Sequence, residues 1–132
     1  VLNLSEQSNE TFVSSVNNTS FIRFAQGGTA TSYRMKNGGT TVNITLSGGF
    51  GTEKAIAEVT RDGSNDIRVL RNGSSIGVGT GSGTFAFEQI GTSSNGLTSA
   101  EVHEVVIFNS ILSSESAADV RNDIASRTSI SL

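Results

Sequence analysis

With 132 residues the chain has the length of one domain, long enough to bury a two-layer core. Fifteen glycines, no proline and only 16% charged residues, with Ser, Thr and Asn filling most polar positions, describe a β-rich surface domain with many tight turns. The lack of cysteine excludes disulfides and thiolate metal sites. A net charge of −3 argues against nucleic acid, and no apolar run approaches the ~20 residues that span a bilayer.

Residues 1–10 read as a polar lead-in, and a first strand is expected over 11–16. FIRFAQ is a second strand. Residues 31–36 alternate, with Thr31, Tyr33 and Met35 on one face, and KNGGTT supplies glycines for a tight hairpin turn. The returning strand over 41–47 points Val42, Ile44 and Leu46 inward. After a glycine-rich loop around Phe50, strands over 54–61 and 67–72 form a second hairpin across DGSND, and the Asn-Gly pair at 72–73 leads into a short strand at 76–78. The run GVGTGSG reads as a loop, because it lacks the spacing of a phosphate-binding motif and a strand follows it. Residues 84–90 are expected to form that strand, with Phe85 and Phe87 sharing a face, and GTSSNGLTS is a loop.

The stretch EVHEVVIFNSILSSESAADV changes character in its middle. Residues 101–108 predict a last strand, apolar on both faces and therefore central or covered on its second side. Residues 113–127 predict a helix capped by Ser113, with Glu115 at the positive end of its dipole and a narrow stripe of Ala117, Val120 and Ile124. That helix is the expected cover for the last strand. Eight or so short strands at about ten-residue spacing, plus one helix, imply a single all-β domain over 1–132: an antiparallel two-layer β-sandwich with a short C-terminal helix.

The tail EVVIFNSILSSESAADVRNDIASRTSI resembles the closing segment of laminin-G-like, concanavalin-A-like jelly rolls. AIAEVTRDGSNDIRVLRNGSSIGVGTGSGTFAFEQIG is similar to that family's paired strands and the aromatic strand after them, and SFIRFAQGGTATSYRMKNGGTTVNITL to the strands before. The resemblance covers about residues 20–127 and is with copies of the domain in virion proteins of tailed phages. Two departures stand out. The family's Trp-containing strand entry is replaced by residues 54–57, and the N-terminal strands look shortened, so the sandwich is expected to be trimmed or completed by a neighbouring chain. The resemblance implies a jelly-roll topology and a non-enzymatic virion structural protein, either a capsid decoration or a tail-fibre or baseplate module. It would sit at the extracellular virion surface, contact other virion subunits or a host-surface glycan, and form a homo-oligomer or join a larger assembly. The alternative is a carbohydrate-binding adhesion module assisted by calcium. The chain begins at Val1 with its one methionine at Met35, and is expected to be a processed product or a piece of a longer one.

No catalytic set emerges. Glu101 and Glu104 are three apart and would point to opposite faces of a strand, whereas retaining glycoside hydrolysis needs two carboxyl groups ~5 Å apart. His103 is the one histidine, and no nucleophile elbow accompanies it. Asp62, Asn65 and Asp66 offer oxygen ligands dense enough for a hard cation such as calcium, against the plainer reading of a hairpin turn bonded to itself. Phe50, among glycines, is the aromatic expected in a loop, where it would meet a ligand or a partner chain.

Overall fold

The structure, a computed structural model, describes residues 2–4, 10–17, 19–25, 31–38, 40–90 and 100–132. It is mostly β. The strands are β1 (Leu2–Leu4), β2 (Glu10–Ser14), β3 (Phe21–Ala25), β4 (Ser32–Asn37), β5 (Thr40–Thr45), β6 (Ala57–Arg61), β7 (Asp66–Arg71), β8 (Ser74–Thr80), β9 (Gln89–Ile90) and β10 (Ala100–Val102), followed by one helix, α1 (Ser114–Thr128). They form antiparallel sheets of order β5-β4-β3-β2-β9 and β6-β7-β8, and a ribbon of β1 with β10. The expected loop over 91–99 and Gly39 of the first hairpin turn lie outside the described residues.

Alternation builds both main sheets. In β4, Tyr33 and Met35 are buried between half-exposed neighbours, and β5 answers with buried Ile44, register partner of Tyr33. In β7, Ile67 and Val69 are fully buried. Both sheets share one core: Phe24, Tyr33, Met35 and Ile44 from the first meet Ile67 and Val69 from the second. This is the layered arrangement of a β-sandwich. Burying each such side chain contributes about 1.5–3 kcal/mol.

The glycine run is a loop only in part: residues 77–80 belong to β8, and residues 81–83 follow it outside any strand. Gly77 and Gly79 lie in β8, and with Gly81 they face β5 at alternate positions. A Cβ at Gly79 would stand 2.7 Å from Ile44 Cγ1, one at Gly77 2.8 Å from Ile44 Cγ2, and one at Gly81 would collide with Val42 Cγ2. Register partners confirm the facing, since Gly77 pairs with buried Val69 and Gly79 with buried Ile67. The glycines let the three-stranded sheet approach the other closely.

Four further expectations are corrected. Residues 2–4 of the lead-in form a strand, with Leu2 opposite Val102. In 84–90 only Gln89–Ile90 is a strand; Phe85 packs on the core while Phe87 is exposed. The last strand stops at Val102, and Val105, Val106, Ile107 and Phe108 are exposed instead of covered. The helix does not cover them. Its Ile124 and Ala125, flanked by Val120 and Ile130, close over Ile56.

The helix has the expected start. Ser113 Oγ accepts from the Ser116 N–H, and Ser129 in the left-handed region ends the helix, its N–H donating to the Ala125 carbonyl. Its seat is polar as well as apolar. Arg121 donates to Glu58 Oε2 at 2.8 Å, and Glu58 Oε1 accepts from the Gly73 N–H in the β7–β8 turn. Gly73 has φ 81°, the left-handed position that favours glycine, and a Cβ there would stand 2.7 Å from Arg121 Nε, so a side chain would also displace the guanidinium from its seat. Near the helix end Arg127 bonds Asp123 and Glu104, and its hydrogen bond holds the Asp123 carboxyl below the usual range.

Tyr33 carries a liability. Its ring is buried, edge-on to Phe24 at 6.0 Å, and its hydroxyl has no hydrogen-bond partner among the described residues. Burial pushes its pKa well above the ordinary value near 10. A group whose folded pKa is raised contributes stability that is complete below its unfolded pKa and lost as pH rises beyond it. The fold should therefore weaken above pH ~10. Because the chain holds one tyrosine and no tryptophan, tyrosinate absorbance should appear together with loss of the β circular dichroism signal. Tyrosinate forming on an intact fold would contradict this. Tyr33→Phe should delay alkaline unfolding and leave neutral stability within about 1 kcal/mol of the parent or better, because a buried unpaired hydroxyl is removed.

Candidate functional surface

The five-residue turn Asp62–Asp66 ties itself together. Asp62 Oδ1 accepts from the backbone N–H groups of Ser64 and Asp66, each at 2.9 Å, and the Asn65 N–H donates to the Asp62 carbonyl at 3.0 Å. Asn65 takes φ 66°, the left-handed position that closes such hairpins. These are the bonds of a self-capped turn. Among the described residues no three His, Cys, Asp or Glu side chains gather as a metal ligand set.

Phe50 lies in a loop as expected, but the contact expected of it is corrected. Only 1% of it is exposed, its ring lies 4.3 Å from that of Phe24, and the Arg71 guanidinium lies over the ring at 5.8 Å. The glycines around it, with φ of 70° at Gly49 and 83° at Gly51, turn the chain so that the ring points inward. A sequence signal existed: an aromatic between two flexible pivots follows the inward run Val42, Ile44, Leu46 and can close its end.

The acidic pair of EVHEV is divided. Glu101 Oε2 stands 3.4 Å from His103 Nε2, while Glu104 accepts from Arg127 at 2.8 Å and so fastens this segment to the helix. Each carboxylate has its own partner: Glu101 its chain neighbour His103, and Glu104 the helix residue Arg127.

Two surfaces remain. One is the seam between β5 and β8, edge strands of the two main sheets. A hydrogen bond from the Ser47 N–H to the Ile76 carbonyl, 2.7 Å, crosses it. Two adjoining open grooves of about 520 and 620 Å³ run along it and share Asn43; hydroxyl and amide side chains of Thr41, Thr45, Ser75, Asn65 and Ser82 line them. The other follows β10, where Val105, Val106, Ile107, Phe108 and Ile111 are 37–63% exposed in one contiguous stretch.

No family model, curated protein or solved structure matches the chain. Its function must be argued from these two surfaces and from the motifs of the sequence. Scattered exposed apolar residues are ordinary, but five within seven positions form a patch, and such patches mark contact surfaces. The seam is open and mixed, with Ile44, Ile76 and Val78 beside the hydroxyl and amide side chains that could hydrogen-bond a neutral, hydroxylated ligand.

Proposed function

We propose that this chain is a non-enzymatic structural module of a tailed-phage particle, a laminin-G-like jelly roll that works by contact with other subunits at the virion surface. The observation that carries the contact role is the uncovered stretch from Val105 to Ile111, apolar side chains that a free-standing domain would bury. The particle assignment comes from the resemblance of the tail and of the paired strands around TRDGSN to virion copies of that family. The separate pairing of Glu101 with His103 and of Glu104 with Arg127 supports contact over catalysis, because each carboxylate is engaged by its own basic partner.

Mass spectrometry of purified particles from the source is the deciding experiment. The chain should be present at a fixed ratio to the major particle proteins, and should persist through washes that remove loosely bound material. Its consistent absence would end the virion reading.

A second reading is favoured by the groove at the β5–β8 seam: a carbohydrate-binding adhesion module. On a glycan array it should bind through Asn43, so that Asn43→Ala lowers binding severalfold, and a chelator arm separates calcium-assisted from metal-free recognition. Lack of binding in both arms rejects this reading.

A further inference from the structure

From the geometry of the segment after β10, we propose that a second copy of this chain covers it, through antiparallel self-pairing of residues 104–109. This deepens the subunit-contact reading and rests on it. β10 is hydrogen-bonded on one edge, to β1, and the chain beyond Val102 makes no strand pairing among the described residues. Between Glu104 and Ser113 there is no charge, no glycine and no proline, and Val, Val, Ile and Phe follow one another. Exposed stretches of that kind are templates for pairing, and proteins usually blunt them with charge, proline or a cover. Among the described residues nothing covers it.

The occupant is a second copy because the segment is complementary to itself. In an antiparallel pairing centred between Val106 and Ile107, Val106 lies opposite Ile107, Val105 opposite Phe108, and Glu104 opposite Asn109. Apolar meets apolar, and no like charges face each other. Glu104 keeps its bond to Arg127 at the rim of such a contact. At their fractional exposures the four apolar residues within 104–109 leave on the order of 350–400 Å² per chain in water, so two copies bury up to about 750 Å², the size of a small, weak interface. The dimer is therefore expected to be weak and concentration-dependent.

The test is sedimentation velocity over a wide concentration range, with circular dichroism to check folding. Val106→Glu and Ile107→Lys alter exposed side chains. Each should keep the fold and weaken dimerisation about tenfold or more, by setting an unpaired charge against an apolar partner. Mixing the two variants should restore a heterodimer, because the register sets the carboxylate introduced at position 106 of one copy against the ammonium introduced at position 107 of the other. A parent chain that stays monomeric, folded single variants as dimeric as the parent, or a mixture without rescue would each overturn the self-pairing. None of these bears on incorporation into particles, which the mass-spectrometric experiment reads separately.

Discussion

Phe50→Ala is expected to lower unfolding free energy by about 3–5 kcal/mol, the usual cost of deleting a buried phenyl ring. The ring packs on Phe24, 4.3 Å away, and under the guanidinium of Arg71, and 1% of the residue reaches solvent. Removing it opens a cavity against Phe24, which itself rests on Tyr33. The neighbours are strand residues held by ladders on both sides of β3, so the site collapses poorly. A domain of this size is stabilised by only about 5–15 kcal/mol in total, so a substantial fraction is lost. Urea titration should show the midpoint falling with the slope nearly unchanged. Phe50→Leu should cost less than half as much. A loss below about 1 kcal/mol for the alanine variant would place the ring at the surface, since surface substitutions generally stay within about 0.5 kcal/mol.

Gly79→Val should be comparably damaging for the opposite reason. The site lacks room, with Ile44 Cγ1 only 2.7 Å from the position of a Cβ and Ile44 itself 2% exposed. Overpacking of this kind costs about 1–3 kcal/mol, and valine's second branch places it at or beyond the upper end. Relief requires β8 to lift away from β5, which would strain the Ser47–Ile76 hydrogen bond across the seam. A double-mutant cycle isolates the cause. Gly79→Ala and Ile44→Ala should each destabilise, yet together cost less than their sum by about 0.5–3 kcal/mol, because Ile44→Ala removes the atoms within reach and leaves only a Cβ at 3.9 Å. Strict additivity would mean that the two sheets do not meet at this point.

The same two positions show how far the residues could be read without coordinates. The hairpins over β4–β5 and β6–β7 were legible because their apolar residues repeat every second position and their turns carry Gly or Asn where positive φ is needed. The helix was legible to within a residue at each end, because Ser113 is a local capping signal followed by an acidic first turn. The extension of β8 through Gly79 was not. Glycine has no side chain to mark a face, so a strand made partly of it reads as loop until Ile44 is seen opposite. The candidate sites divide in the same way. The Asp62 turn could be foreseen as self-bonded from its composition. The seam grooves could not, because their lining comes from two strands whose lining residues are thirty or more positions apart.

By themselves, the amino acids determined what short-range physics controls: strand period, turn positions, the helix cap and the all-β class with one helix. Only the tertiary structure decided which apolar residues found cover. Val105–Phe108 has the composition of a buried strand and lies exposed, whereas Phe50 has the setting of a loop tip and lies in the core. The helix closed over Ile56 and the Glu58–Gly73 turn instead of the strand next to it in the chain. Burial is settled by whichever distant surface arrives opposite a residue, and no local window of the chain contains that surface.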